Sequence, residues 1–288
     1  MKNNNTKLLK SVSDYYAWRE TIQGSVGFVP TLGGLHGGHI SLIKKSLSIC
    51  DHTVLSIFLN PLQFSKNEDL DTYPSNIVDD LKKINKINIS IIFIPEHNEI
   101  LSSNSSVFIV ENYLSNCIEG QRRPDFFSGV LTIVTKLFNI ISPTHAFFGE
   151  KDPQQLLLIK KLCVDLNFNI KIIPCPTIRE KNGLAISSRN CYLTRDEKKD
   201  ASVIYQSLTA AQLLLKNGII SVVVIRNKMK KILLSCPSLK IDYLSFSDIN
   251  TLKELKNLVN QNLLISVAVF IGKTRLIDSL FYSTFNDG

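Results

Sequence analysis

The sequence predicts an α/β protein, with a parallel sheet covered by helices in its first part and a smaller α+β unit in its last. Two observations carry that reading through the first part. Short apolar runs rich in Val, Ile and Phe alternate with longer helical patterns, and the first clear run ends in a glycine-rich turn that opens a helix. A β-α-β alternation calls for parallel strands, because each helix returns the chain to the starting end of the sheet. The third observation is a change of pattern beyond about residue 185, where two helical stretches come in succession and apolar runs then follow one another directly.

Taken in order, residues 25–30 are expected as a strand that runs through the turn into a helix over about 38–50. Residues 53–59 form the next expected strand, and 77–87 a helix whose apolar positions are Ile77, Val78, Leu81 and Ile84. A strand over 89–94 is closed by Pro95. A buried helix is expected over 130–141, a short strand over 145–148, a helix over 153–166 and a strand over 170–174. The amphipathic helices of the last part fall at 201–216 and 220–235, and its strands at 241–247, 263–271 and 274–280, the last after the turn Gly272-Lys273. The chain is therefore divided into residues 1–185 and 186–288.

Composition narrows the class. With 288 residues, 44% hydrophobic and 20% charged, the chain can bury a large core. No apolar run is long enough to span a bilayer, and the start Met1-Lys2-Asn3-Asn4-Asn5 lacks the features of a secretory signal, so a cytoplasmic protein without a membrane partner is expected. Six scattered cysteines without a Cys-x-x-Cys pair argue against a zinc or disulfide framework. The net charge of +8 admits nucleic acid or an anionic small substrate. The lysines form no long basic block and are not interleaved with aromatics, so no nucleic-acid partner is expected.

Four segments can carry chemistry. The first is Pro30-Thr31-Leu32-Gly33-Gly34-Leu35-His36-Gly37-Gly38-His39. Its glycines allow close backbone approach, the helix start favours phosphate, and two histidines three apart can sit near it as donors. It is not a P-loop, for no Gly-Lys-Ser/Thr follows, and it is not a dinucleotide fingerprint either. The second, Asn60-Pro61-Leu62-Gln63-Phe64, places two amides at the C-terminal edge of a strand, where ligands of open α/β sheets bind. The third is Gly149-Glu150-Lys151-Asp152-Pro153-Gln154-Gln155, where Asp152 can cap the following helix and Lys151 offers a point charge. The fourth, Ile186-Ser187-Ser188-Arg189, is a compact set of phosphate donors. Taken singly, each also reads as an ordinary turn, cap or loop.

The first segment resembles the His-x-Gly-His signature of the nucleotidyltransferase superfamily, and the four together, in this order and spacing, resemble the pantoate–β-alanine ligase family. Arg123-Pro124 ahead of the apolar helix adds to the likeness, which is dense over residues 25–195 and thin beyond. The resemblance implies a Rossmann-like N-terminal domain with a C-terminal lid, a homodimer, and an AMP-forming ligase that joins pantoate to β-alanine with ATP and Mg²⁺ through a pantoyl adenylate. It further implies that His39 is the catalytic proton donor. ATP contacts are implied for Leu32, Gly33, Gly34, Leu35, His36, Gly37, Gly38, His39, Gly149, Glu150, Lys151, Asp152, Ile178, Ile186, Ser187, Ser188 and Arg189. Pantoate contacts are implied for Gln63, Gln155, Asn60 and Arg123, with Gln63 also on β-alanine. No metal ligand is assigned. Three departures stand out: Leu32 for a Met, Gly37 for an acidic residue, and Asp125-Phe126 where the family has Gly-His. A different adenylyltransferase of the His-x-Gly-His type would lack the second and third segments as a set. An RNA-binding or tRNA-charging module is suggested only by charge and superfamily.

Overall fold

The computed structural model describes residues 6–65, 68–258 and 262–283. Strand β1 (Lys7–Leu9) and helix α1 (Val12–Glu20) open it, followed by β2 (Val26–Thr31), α2 (Gly37–Ile49), β3 (His52–Ile57), α3 (Ile77–Ile84) and β4 (Ile91–Phe93). Then come α4 (His97–Ile100), α5 (Ile118–Arg122), α6 (Phe126–Ile141), β5 (His145–Gly149), α7 (Pro153–Asp165) and β6 (Lys171–Cys175). The last part holds α8 (Arg195–Asp200), α9 (Ser202–Lys216), α10 (Val222–Leu233), β7 (Leu239–Asp248), β8 (Asn262–Ile271) and β9 (Thr274–Ser283).

Six parallel strands make one sheet in the order β1-β4-β3-β2-β5-β6, and three antiparallel strands make a second, β7-β8-β9. Successive strand residues point to opposite faces, and the larger sheet uses that period to build two cores. Phe28, Val54, Ile91, Phe93 and Phe148 pack with α1, α6 and α7 on one face. Val29, Leu55, Ile57, Ile92 and Phe147 pack with α2 and Ile84 of α3 on the other. A third core lies between α9, α10 and one face of the small sheet, filled by Leu208, Ile225, Met229, Val267 and Val269.

The chain moves outward from β2 through β3 and β4, then returns to lay β5 and β6 on the other side of β2. The C-terminal ends of β2 and β5 therefore flank the point where the strand order reverses, the place where open α/β sheets leave a crevice. The glycine-rich turn follows β2, and Glu150-Lys151-Asp152 follows β5.

Three differences from the expected elements are instructive. The edge pair β1 and α1 lay below the periodic signal: β1 has three residues, none of them buried, and α1 buries Tyr15 alone. In α3 the expected apolar face is half kept: Ile84 is buried and Leu81 packs beside it, while Ile77 and Val78 are exposed and Asp80 turns inward to bond backbone amides. Asp152 occupies the N-cap position of α7 but makes no side-chain cap bond; its carboxylate lies 3.8 Å from the Lys151 ammonium.

Candidate active site

A cavity of about 1090 Å³ opens between the C-terminal ends of the parallel strands and one face of the small sheet. It lies at the upper end of the roughly 300–1,000 Å³ usual for ligand sites, so it has room for a nucleotide beside a small acid. Its walls carry Leu32, His36, Gly38, His39, Asn60, Gln63, Arg123, Gly149, Lys151, Asp152, Gln155, Ile178 and Ile186, with Ser187, Ser188 and Arg189. Five residues of the sequence reading stand behind this surface, outside the lining: Gly33, Gly34, Leu35, Gly37 and Glu150.

The glycine-rich turn owes its shape to a group that the motif does not contain. Gly33 and Gly34 take φ of +86° and +63°, where a side chain would be strained. The amides of Gly34 and Leu35 each donate to the buried carboxylate of Asp80 at 2.7 Å. Those two N–H groups are satisfied by protein, so neither is left as a donor to the cavity. The Asp80 charge is met by these amides and by Lys83 Nζ at 3.3 Å.

The turn delivers two stacked imidazoles, His36 and His39, with ring centroids 4.0 Å apart. His36 Nδ1 accepts the Gly38 N–H at 3.1 Å, which caps α2 and puts the proton of the neutral ring on Nε2. Burial pulls the His36 pKa down to about 4, with the Lys151 and Lys83 charges adding to it. Burial first, then His36, Lys151 and Lys83, hold His39 well below the ordinary histidine value. Its Nδ1 is buried and has no hydrogen-bond partner among the described residues. Two neutral rings beside an ammonium make a surface ready for an anion.

The second segment forms a single 3₁₀ turn, Pro61–Gln63, capped by Asn60. Asn60 is buried and fully used: its Oδ1 accepts Leu62 N–H at 3.0 Å, and its Nδ2 donates to Gln63 Oε1 at 3.0 Å and Gly129 O at 3.1 Å. It therefore orients Gln63, whose NH₂ is left to face the cavity. Helix α6 sits so close behind that a Cβ at Gly129 would overlap the Leu62 carbonyl. Arg123 is also occupied. It donates to both oxygens of Glu68 at 2.7 and 2.6 Å and to Gln63 O at 3.1 Å, and its plane lies 3.7 Å over the Phe126 ring. Asp125, at the family's glycine position, takes φ +66°, so the left-handed turn is kept without glycine.

The third and fourth segments meet the first across the cavity. Gln155 lines it, whereas Gln154 is buried and braces α5, donating to Leu114 O and Cys117 O and accepting Glu119 N–H. Ser187 caps the 3₁₀ turn Ser188–Tyr192 through the Arg189 N–H. Ser188 Oγ donates to Gly34 O at 3.1 Å and accepts from Tyr73 OH at 3.3 Å. Arg189 forks onto Asp69 at 2.7 and 3.1 Å, and Tyr192 OH bonds the same carboxylate at 3.2 Å. Ile178 O accepts the Ile186 N–H at 2.9 Å, so these two residues form adjacent parts of one wall.

Sequence reasoning missed the acidic and tyrosine partners Glu68, Asp69, Tyr73, Asp80 and Glu119, and everything contributed by the small sheet. The one local signal was Asp80 itself, a charged residue at an apolar-face position of α3.

A family model described as pantoate-beta-alanine ligase matches residues 5–281. The chain belongs to the pantoate–β-alanine ligase family. It is 44% identical to the pantothenate synthetase of Fervidobacterium nodosum over 256 residues, covering 89% of this chain and 91% of that one. It is 42% identical to that of Campylobacter fetus over 275 residues, covering 96% and 99%. Pantothenate synthetase of Thermus thermophilus superposes with a TM-score of 0.90 at 35% identity, covering 95% of this chain and 98% of that one. The pantoate-beta-alanine ligase of Francisella tularensis, crystallised with a β,γ-ATP compound and β-alanine, gives 0.80 at 34% identity, covering 96% and 97%. As a member of this ligase family the chain is an enzyme that condenses pantoate with β-alanine, and among its described residues no helix is long and apolar enough to cross a membrane.

Proposed function

We propose that the cavity binds ATP and pantoate side by side and runs the condensation in two steps through pantoyl adenylate. A pantoate carboxylate oxygen attacks the α-phosphorus of ATP, the bond to the β-phosphate breaks, and pyrophosphate leaves. The β-alanine amine then attacks the acyl carbon, loses a proton, and AMP departs with the carbon–oxygen bond. The observation that carries this reading is the juxtaposition of a cationic, donor-lined end with an amide-lined end in one cavity. His36, His39 and Lys151 form the first, bordered by Ser188, whose hydroxyl is given to Gly34 O, and by Arg189, held on Asp69; Gln63 and Gln155 form the second.

In this reading the chain's residues act mainly by placing donors where negative charge grows on phosphate oxygens. His39 carries the catalytic role, supported by its unpartnered Nδ1 and its place beside Lys151. His36 offers Nε2–H. Leu32, Gly38, Gly149, Asp152, Ile178, Ile186 and Ser187 complete the nucleotide wall, and Gly33, Gly34, Leu35, Gly37 and Glu150 support it from behind. Gln63 directs its NH₂ to pantoate, and in the second step to β-alanine, while Asn60 and Arg123 hold it in place. Mg²⁺ would neutralise phosphate charge. Asp152, a carboxylate lining the nucleotide end of the cavity, is the kind of oxygen donor that would hold such an ion beside the phosphates.

Residues 1–185 and 186–288 form the body and the lid of this site, in the cytoplasm, where the six free cysteines fit a reducing compartment. A homodimer is supported by the strip Val107, Phe108, Val110 and Tyr113, with relative exposures of 77%, 47%, 64% and 80%. The test is direct: ATP, Mg²⁺, pantoate and β-alanine are supplied, and AMP and pantothenate are followed. Equimolar AMP and pantothenate are expected. ADP as product, or AMP release without any need for pantoate, overturns the reading.

A further inference from the structure

The two ends of the cavity are anchored differently. The nucleotide end is held by groups other than Arg275: Asp80 holds the glycine-rich turn, Ser188 donates to Gly34 O, and Ser279 Oγ of β9 donates to Glu150 O at 3.3 Å. The amide end is tied to the small sheet through a chain of charged groups. Glu119, buried on α5, accepts Arg275 Nη1 on Oε1 at 2.6 Å, and on Oε2 it accepts Arg275 Nη2 at 2.9 Å and Tyr243 OH at 3.1 Å. Its Oε1 also lies 3.7 Å from Arg123 Nη1. Arg123 in turn donates to the Gln63 carbonyl. Behind Arg275, Asp242 accepts Nε at 3.0 Å and Nη2 at 2.7 Å, and Arg122 Nε lies 3.7 Å from Asp242.

Each charge in this chain is met by an opposite one, which a buried network requires if it is not to cost stability. Helix α5 is already braced by Gln154, and the small sheet has its own core. What the chain does join is β9, through Arg275, to the turn that carries Gln63.

We propose that Glu119 is a positioning residue for pantoate, linking the seating of the β7–β9 sheet to the placement of Gln63 through Arg275 and Arg123. The inference rests on the assignment of Gln63 to pantoate made above. When Arg275 is docked, Glu119 is fixed, Arg123 keeps its hold on the Gln63 carbonyl, and the amide end has its binding geometry. When Arg275 is lost, the amide end loosens and the nucleotide end does not.

The experiment uses the full-length enzyme and the variants Glu119→Gln, Arg275→Gln and the double variant. Each single change is expected to raise KM for pantoate by about tenfold or more while KM for ATP stays within about twofold, and the double variant should be no worse than either alone. Arg275→Lys keeps the charge but loses the fork; it should show the same split, and it carries the test if Glu119→Gln does not fold. Hydrogen exchange supplies a readout that needs no activity: Arg275→Gln should speed exchange at residues 60–64 and leave residues 33–39 unchanged. A merely structural brace would raise both KM values together, or lower thermal stability with KM for pantoate unmoved, and either result overturns the proposal. So does an unaltered exchange rate at residues 60–64. If the wild-type enzyme makes no pantothenate, the functional reading fails, and the exchange experiment still decides whether the coupling exists.

Discussion

The chemistry of the site depends on how a few side chains are left after the protein has used their neighbours. Asn60 and Arg123 spend their donors on the chain itself, and Gln63 keeps its NH₂ because Asn60 takes its oxygen. His36 and His39 are neutral at pH 7 because burial opposes their charge. This has two opposite pH consequences. In the free protein the His36 pKa is lowered from 6.5 to about 4, so its contribution to stability is complete above 6.5 and is lost as pH falls towards 4. The melting temperature of the free enzyme should drop across that window, and less steeply in His36→Gln. A bound triphosphate favours the charged rings, so ATP binding should take up protons; calorimetry in two buffers of different ionisation heat measures this, and no buffer dependence would refute it. His39→Ala should lower turnover by at least about a hundredfold, the usual scale for losing a group that stabilises transition-state charge, with little change in melting temperature.

At the scale of elements, the glycine-rich turn and helix α3 behave as one device. Asp80 is the joint between them, and its replacement by Ala leaves two buried N–H groups unsatisfied at about 1–3 kcal/mol each. Asp80→Ala should therefore lower the melting temperature and turnover together, unlike His39→Ala, and Asp80→Asn should fall between because its amide keeps a single acceptor. Thermal denaturation and steady-state kinetics on the three variants check this ordering. The sequence made the strands and long helices of the parallel sheet legible because each carries a buried face with its own period, as at Phe28, Leu55 and Phe147. It missed the burial of Asp80 because a carboxylate that caps a distant turn looks, in one dimension, like any exposed acid. It passed over β1, α4, α5 and α8, of three to six residues each, since so short a stretch shows no period. Glu119 and Arg275 lie 156 positions apart, and nothing local to either one announces the other.

At the scale of the whole molecule, the cavity is walled by two sheets, and the smaller one fills a core of its own with α9 and α10 while Leu264 of β8 and Phe281 of β9 join the core of the body. Besides the Glu119 chain, Arg179 fastens them by a fork onto Asp278 of β9 at 2.5 and 2.9 Å, with its plane 4.2 Å from the Tyr205 ring. The four motifs that identified the family all come from residues before 190, so they disclosed one wall and not the other. The core that α9 and α10 share with the small sheet has a calorimetric consequence. A molecule that touches both walls acts as a non-covalent cross-link, and it stabilises each core only through the other. Scanning calorimetry of the free enzyme should show a broadened or divided transition, and a tight analogue of the acyl adenylate should merge it into one sharper peak at higher temperature. ATP, which in the proposed reading also meets Ile186, Ser187, Ser188 and Arg189, should raise both transitions by less than the analogue does. The enzyme's cooperativity of melting would then be a property conferred by its reaction intermediate.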